Sequence, residues 1–134
     1  MNMKRAFITG ISGFVGRHLR EELIRESWDV FGFDIRAAGE NVFVGDLSDR
    51  ALLSQVMLDC QPDAVFHLAG IIKSQDPQAY YTSNLFGTLN LLDAVMQMDK
   101  RPKVVLASSS AVYGLTKSAR PITERSPLRP VTEY

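Results

Sequence analysis

Short runs of hydrophobic residues alternate along the chain with segments in which hydrophobic residues recur every three or four positions. The first run, at residues 5–9, is followed by Gly10 and predicts a buried strand. From Phe14 the spacing changes to that of an amphipathic helix, which predicts a helix directly after the glycines. The same patterns predict strands at 29–34, 41–44, 64–68 and 104–107, a helix capped by Ser48 and ending near residue 59, and a long helix at 76–98.

The alternation of strands and helices predicts the fold class. Strands that are almost entirely hydrophobic are typical of parallel sheets with both faces covered, and parallel neighbours need helical crossovers, which are right-handed. We therefore expect an α/β protein with a doubly wound parallel sheet, helices on both faces and one domain over residues 1–134. After Ser110 the chain is rich in proline and has little periodicity, so we expect it to be C-terminally truncated.

Composition excludes several classes of protein. The 134 residues are 46% hydrophobic and 22% charged, which is typical of a soluble globular domain and not of a disordered chain. Fifteen basic and fifteen acidic residues give no net charge to attract nucleic acid or an anionic membrane, and no apolar run is long enough to span a bilayer. The single cysteine, Cys60, has no partner for a disulfide or a metal site, which predicts a reducing, cytoplasmic location and no metal.

A glycine turn at residues 9–16, with the sequence T-G-I-S-G-F-V-G, joins the first predicted strand to the first helix. Glycines in this position let the backbone approach a pyrophosphate at the helix N-terminus. The spacing is one residue longer than the common G-x-G-x-x-G fingerprint, and a tight turn without a ligand is the alternative. The candidate cofactor-binding residues of this turn are Gly10, Ser12, Gly13, Phe14, Val15 and Gly16.

An acidic residue ends the second predicted strand. Asp34 lies 24 residues after Gly10, where a carboxylate can accept hydrogen bonds from the adenosine ribose hydroxyls, and this favours NAD. Arg36 follows two residues later and can pair with the 2′-phosphate of NADP, so NADP stays an alternative. Ile35 lies between them and is included among the candidate cofactor contacts, while a loop aspartate without a ligand is the structural alternative.

Five short motifs follow one another along the chain. They are T-G-I-S-G-F-V-G at 9–16, G-D-L at 45–47, H-L-A-G at 67–70, N-L-F-G-T at 84–88 and S-S-S-A-V-Y-G at 108–114. In this order they resemble the motifs of the extended short-chain dehydrogenase/reductase family of nucleotide-sugar epimerases, dehydratases and reductases. The resemblance covers the whole chain and implies a Rossmann-like domain that binds NAD and serves a nucleotide-sugar substrate.

The resemblance implies further cofactor contacts beyond the glycine turn. Asp46 and Leu47 would hold the adenine, and the later motifs would contribute Leu68, Ala69, Gly70 and Asn84. These positions also have structural interpretations, because residues 46–47 can form a capping turn and Asn84 can face solvent or a neighbouring loop. His67 is more typical of a polar residue hydrogen-bonded at a strand end, so no catalytic role is assigned to it.

Two residues are candidates for catalysis. Alignment of V-Y-G at 112–114 with the family motif implies that Ser109 is the catalytic serine and that Tyr134 begins the motif Y-x-x-x-K. In the family the serine orients the substrate oxygen, and the tyrosine, acidified by the lysine, transfers the proton. The lysine position falls four residues after Tyr134, beyond these 134 residues, so we expect this chain alone to be inactive.

Two classes of function stay open. Ala111 stands where the family's dehydratases carry an acidic residue, which favours an epimerase or a ketosugar reductase. The alternative is a non-catalytic dinucleotide-binding module or an inactive fragment. Family members commonly dimerise through the long helix and a helix absent here, so we also expect self-association through the apolar surface of residues 76–98.

Overall fold

The computed structural model describes residues 3–36, 39–115, 121–132 and 134. Strands and helices alternate in these residues, as the sequence predicts. The elements are β1 (Arg5–Thr9), α1 (Phe14–Arg25), β2 (Asp29–Asp34), β3 (Val42–Val44), α2 (Arg50–Cys60), β4 (Ala64–His67), α3 (Gln78–Tyr80), a π segment (Tyr81–Phe86), α4 (Gly87–Met96), β5 (Lys103–Leu106) and a 3₁₀ turn (Ser110–Tyr113).

The five strands form one parallel sheet in the order β3-β2-β1-β4-β5. β1 lies at the centre, with Phe7 opposite Phe31 of β2 on one side and Val65 of β4 on the other. The chain moves outward from β1 to β3 and then returns to build β4 and β5 on the opposite side. This reversal makes the gap between β1 and β4 the topological switch point, where ligands bind in doubly wound sheets.

Two hydrophobic clusters cover the two faces of the sheet. On one face Phe7 packs with Phe33, and α2 and α4 contribute Leu53 and Leu91. On the opposite face Ala6 and Ile8 of β1 pack with Ile11 of the glycine turn, Leu23 of α1 and Val30 of β2. Alternate residues of β1 thus face opposite clusters, as the pleat of a strand requires. Complete burial of a side chain such as that of Phe7 contributes about 1.5–3 kcal/mol, so both layers stabilise the sheet.

The start of α2 differs from the prediction. Its N-cap is Asp49, whose Oδ1 accepts a hydrogen bond of 3.0 Å from the Leu52 amide. The predicted cap, Ser48, instead donates its own amide to Asp46 Oδ1 at 2.8 Å. Both residue types are good caps, and the turn formed by Asp46 decides between them. Strand ends also shift slightly, since β4 ends at His67 and β5 covers residues 103–106.

The predicted long helix at 76–98 is not one regular α-helix. Residues 78–96 are continuously helical, but the π segment separates α3 from α4. The hydroxyl of Thr88, in the first turn of α4, donates to the carbonyl of Asn84 in the π segment at 2.5 Å, and such side-chain bonds compete with the regular backbone hydrogen bonds. Of the helices in the described part of the chain, none is long and apolar enough to cross a membrane.

The residues after β5 are partly ordered by contacts with one another. The Arg129 amide donates to the Val112 carbonyl at 2.8 Å, which places the proline-rich stretch against the 3₁₀ turn. Gly114 has a φ of +66°, and a Cβ there would lie 1.8 Å from the Arg129 carbonyl oxygen. Only glycine therefore permits this approach. The stretch that the sequence shows as proline-rich with little periodicity thus has local structure at these points.

Apolar side chains are exposed on β5 and along the helix that ends at Met96. β5 is an edge strand, and Val104, Val105 and Leu106 are all exposed. Along the π segment and α4, Leu85, Leu89, Leu92 and Met96 are between 40% and 59% exposed. Exposed apolar surface of this extent is typical of interfaces.

Candidate functional site

A cleft of about 220 Å³ opens at the carboxyl ends of β1, β2 and β4. It lies at the topological switch point identified above. Most of the residues predicted to bind a cofactor meet here. The cleft is lined by Gly10, Gly13, Phe33, Asp34, Ile35, Arg36, Gly45, Asp46, Leu47, Leu68, Ala69, Gly70, Ile71 and Ser83.

The glycine turn forms one wall of the cleft. Gly10 has a φ of +72°, and a Cβ on it would come within 2.8 Å of the Ala69 backbone. A Cβ on Gly16 would lie 2.3 Å from the Gly10 carbonyl oxygen. Gly13 is the N-cap of α1 and makes no side-chain cap hydrogen bond, so its position leaves the first-turn amides of α1 accessible.

Asp34 connects β2 to the glycine turn. Its Oδ2 accepts from the Ser12 amide at 2.9 Å, and its Oδ1 accepts from the Arg36 amide at 3.1 Å. The Ser12 hydroxyl donates to the Arg36 carbonyl at 3.2 Å. Asp34 is 8% exposed, so these two donors compensate for its burial. Each carboxylate oxygen keeps a second lone pair for a ligand hydroxyl.

Asp46 and Leu47 form the turn on the far side of the cleft. Asp46 caps this turn through the Ser48 amide, in agreement with the structural interpretation of these residues. Leu47 is fixed by α4, because the Asn90 side chain donates to its carbonyl at 2.9 Å and Gly87 leaves room for its side chain. The turn therefore has a structural role and also faces the cleft.

The β4 loop, residues 68–71, forms the remaining wall. Its Ala69 amide donates to Thr9 Oγ1 at 3.2 Å. Asn84 holds the other end, because its Oδ1 accepts from the Ile71 amide at 2.8 Å and its Nδ2 donates to the Ile71 carbonyl at 2.9 Å. Asn84 does not line the cleft itself but fixes Ile71, which does.

His67, at the end of β4, is buried and hydrogen-bonded on both ring nitrogens. Nδ1 lies 2.6 Å from Thr9 Oγ1, and Nε2 lies 2.8 Å from Thr88 Oγ1. Burial lowers the pKa of His67 from its ordinary value of 6.5 to about 4. The ring is therefore neutral at neutral pH, as a hydrogen-bonded strand-end histidine would be, and not poised for proton transfer.

The two predicted catalytic residues lie outside the cleft lining. Ser109 is half-buried, and its Oγ accepts from the Ala111 amide at 3.1 Å, which caps the 3₁₀ turn. Tyr134 packs against Tyr80, with ring centroids 6.1 Å apart. The Tyr80 hydroxyl in turn accepts from the Ser74 amide at 2.9 Å. β5 is parallel to β4 and lies beside it. Ser109 follows β5, so it lies on the side of the sheet where the carboxyl ends of the strands and the cleft are found.

The cleft also contains residues that the sequence did not single out. Phe33 directly precedes Asp34 in the sequence. This position next to the acidic residue could have identified it as part of the cleft. Ile71 and Ser83 come together only through the folding of the β4 loop against the π segment, and no local pattern marks them. Conversely, Ser12, Phe14, Val15, Gly16 and Asn84 are predicted contacts that do not line the cleft.

The parallel sheet, its glycine turn and the cleft at the switch point define a Rossmann-type α/β domain. Residues 6–134 match the model of the NAD dependent epimerase/dehydratase family. The chain belongs to this family, which confirms the resemblance noted in its motifs.

Known proteins resemble this chain over nearly all of its residues. It is 32% identical to a UDP-glucose 4-epimerase of Lactobacillus helveticus, over 97% of this chain and 42% of that protein. It is 30% identical to a GDP-mannose 4,6-dehydratase of Vibrio cholerae serotype O1, over 100% of this chain and 42% of that protein. The crystal structure of the UDP-glucose 4-epimerase of Thermus thermophilus in complex with NAD superposes with a TM-score of 0.88 at 31% identity, covering 97% of this chain and 46% of that one.

These comparisons confirm the predicted fold class. They also show that the chain spans less than half the length of the relatives described above.

Proposed function

We propose that the chain is the cofactor-binding portion of an NAD-dependent nucleotide-sugar epimerase or ketosugar reductase. The observation that carries the proposal is the cleft, where the glycine turn, Asp34 and the β4 loop meet at the carboxyl ends of three parallel strands. The names of the relatives, a UDP-glucose epimerase and a GDP-mannose dehydratase, support a nucleotide-sugar substrate for the whole enzyme.

The glycine turn fits a pyrophosphate. The first amides of an α-helix have no acceptor within the helix, and the helix dipole favours an anion beside them. At α1 these are the amides of Phe14, Val15 and Gly16, and Gly13 adds no side chain in front of them. This explains why these residues are proposed as contacts although they do not line the cleft.

Asp34 is proposed to bind the adenosine ribose. Its carboxylate already anchors Ser12 and Arg36, so it is held at a fixed place at the edge of the cleft. A fixed negative charge there repels a 2′-phosphate, and for this reason NAD is the proposed cofactor. The Arg36 side chain is the feature that would favour NADP.

The far wall is proposed to hold the adenine. Leu47 offers an apolar surface that α4 fixes, and Asp46 offers a carboxylate. Leu68, Ala69 and Gly70 are proposed to pass close to the middle of the dinucleotide. Ile35 lies beside Asp34 and is 65% exposed, which leaves it accessible to the adenosine.

Ser109 and Tyr134 are proposed to carry the acid-base chemistry. Bound NAD supplies the hydride acceptor. The Tyr134 hydroxyl, once deprotonated, removes the proton from a sugar hydroxyl, and the Ser109 hydroxyl donates a hydrogen bond to the same oxygen. A tyrosine ordinarily loses its proton near pH 10, so this step needs a positive charge close to it.

The 134 residues by themselves are proposed to bind the cofactor without turning over a nucleotide sugar. Support comes from the match to the two relatives described above, which covers 42% of each of them. The proposed location is the reducing cytoplasm, in keeping with the free, buried thiol of Cys60.

The chain is also proposed to self-associate. The exposed side chains Leu85, Leu89, Leu92 and Met96 recur every three or four residues and therefore lie on one side of the helix. A second copy is the proposed partner of this apolar stripe.

Calorimetric titration with NAD and NADP tests the cofactor proposal, and residue 13 offers a matched pair of variants. Aspartate and asparagine are both favoured N-caps, and the φ of −71° at Gly13 accepts either. We expect saturable binding of NAD that survives Gly13→Asn better than Gly13→Asp, because only the second places a negative charge where the pyrophosphate would lie. Equal affinity of the two variants, or no binding by the unmodified chain, would contradict the proposed site.

A further inference from the structure

A chain of hydrogen bonds runs through the buried space between the sheet and the helices. It joins Thr9 of β1, His67 of β4 and Thr88 of α4 through the two imidazole nitrogens, at 2.6 Å and 2.8 Å. Thr9 is fully buried and His67 is 3% exposed. Burial of a polar group costs free energy unless the group has a hydrogen-bond partner. The position of each proton in this series of hydrogen bonds therefore decides whether all of its groups are paired.

The neighbouring backbone groups determine the direction of each hydrogen bond. The Asn84 carbonyl has no proton to give, so the Thr88 hydroxyl donates to it at 2.5 Å. Thr88 Oγ1 must then accept from His67, which places the ring proton on Nε2. On the other side, the Ala69 amide donates to Thr9 Oγ1, and the Thr9 hydroxyl donates to the free lone pair of His67 Nδ1.

The two ends of the hydrogen-bond chain hold the two ends of the β4 loop. One end is the amide of Ala69 itself. The other is the carbonyl of Asn84, whose side chain makes two hydrogen bonds to the backbone of Ile71. At Ala69 the loop lies so close to Gly10 that a Cβ on Gly10 would be 2.8 Å from the Ala69 backbone. A shift of the loop would therefore change the wall of the cleft.

We propose that His67, as the neutral Nε2–H tautomer, is a positioning residue that sets the β4 loop against the glycine turn for dinucleotide binding. An imidazole suits this place because it presents one acceptor and one donor on opposite sides of a rigid ring. A side chain that lacks the acceptor leaves the proton of the Thr9 hydroxyl without an acceptor, and one that lacks the donor removes the hydrogen bond that Thr88 Oγ1 accepts. The effect on the dinucleotide rests on the proposed NAD site, whereas the tautomer and the loop contacts do not.

Burial supports the neutral form. It lowers the pKa of His67 to about 4, so the ring carries one proton across the neutral range. A second proton on Nδ1 would face Thr9 Oγ1 and displace the hydrogen that the threonine donates there.

Thr88 provides a matched pair of variants. Thr88→Ser keeps the hydroxyl, and Thr88→Val keeps the shape of the side chain without it. We expect Thr88→Ser to retain the NAD affinity and the slow hydrogen exchange of the Ala69 and Ile71 amides. Thr88→Val leaves the His67 Nε2–H without an acceptor, and we expect about tenfold weaker NAD binding and faster exchange at both amides.

A second measurement needs no substitution. The nitrogen-15 spectrum of the unmodified chain reports which ring nitrogen of His67 carries the proton, and we expect Nε2. Protonation on Nδ1 would overturn the inference, as would equal NAD affinity and equal amide exchange in the two Thr88 variants. If the unmodified chain binds no NAD, the proposed cofactor site fails, while the tautomer and the exchange rates still decide the role of His67.

Discussion

The carboxylate of Asp34 accepts a hydrogen bond from the backbone amide of Ser12 at 2.9 Å and thereby joins the end of β2 to the glycine turn. The same side chain accepts from the amide of Arg36. A single acidic residue therefore both shapes the cleft and gives it a negative charge. Asp34→Asn removes the charge together with one of these two hydrogen bonds, and the ratio of NAD to NADP affinity reports the effect of the charge.

We expect Asp34→Asn to reduce the preference for NAD over NADP by about tenfold, because the amide keeps an acceptor oxygen but no longer repels a 2′-phosphate. Calorimetric titration of both cofactors gives the ratio of affinities. Asp99→Asn, which removes an exposed carboxylate elsewhere, is the control and leaves the ratio unchanged. An unaltered ratio in Asp34→Asn would show that another residue selects the cofactor.

The buried His67 predicts a pH dependence of stability. Its folded-state pKa of about 4 lies below its ordinary value of 6.5, so between these values the unfolded chain binds the proton and the folded chain does not. The free energy of unfolding therefore falls as the pH drops from 6.5 towards 4, by about 3 kcal/mol in total. Above pH 6.5 this contribution is complete.

Urea unfolding between pH 4 and 7 measures this dependence. We expect His67→Gln to flatten the curve, whereas His18→Gln leaves it in place, because His18 is exposed. The pKa of the ion-paired Asp63 is lowered from 3.8 by Lys100 and by the Arg5 amide, and its effect on stability is shared by both histidine variants, so it cancels when their curves are compared. Identical pH curves for both histidine variants would argue against a buried, neutral His67.

Cys60 is predicted to be chemically inert in the folded chain. Burial, with a smaller contribution from Asp59, raises the pKa of its thiol to about 12, so the reactive thiolate is scarce at pH 8. We expect a thiol reagent such as a disulfide dye to modify it only when denaturant unfolds the chain. Leu58→Cys in a Cys60→Ala background supplies an exposed thiol on the same helix as the positive control. Rapid modification of native Cys60 would contradict its burial.

Self-association through α4 is predicted to depend on its exposed leucines. Leu89→Glu places a charge in the middle of the apolar stripe, and we expect it to shift the chain towards monomer in sedimentation velocity runs at several concentrations. Leu58→Glu is the matched control, because Leu58 is similarly exposed but lies on α2. A concentration-independent monomer for the unmodified chain would count against this interface.

The fold was largely predictable from hydrophobic spacing. β1 and the strands beside it are buried on both faces, and strands of this kind appear in the sequence as continuous apolar runs. The π segment was not predicted; Asn84 within it and Thr88 just after it contact Ile71 and His67, which lie distant in the sequence. The choice of Asp49 over Ser48 as N-cap likewise follows from a contact made by Asp46.

Residues of the cleft could be predicted only where a short segment of the sequence has a recognisable pattern. The glycine turn and Asp34 have local signatures, and the cleft contains both. Ile71 and Ser83 line the cleft because the β4 loop folds against the π segment, which local patterns do not encode. The roles of Ser109 and Tyr134 come from the family resemblance and stay predictions.

The exposed edge of the sheet at β5 has a consequence for handling the chain. An edge strand offers a row of backbone donors and acceptors, and here it carries consecutive apolar side chains with Lys103 as its one charged residue. Such an edge recruits strands from other copies and seeds β-type aggregation. Concentrated solutions of the chain are therefore expected to aggregate by addition of strands at β5. A charged residue in place of Val105 would oppose this aggregation and would leave the cleft unchanged.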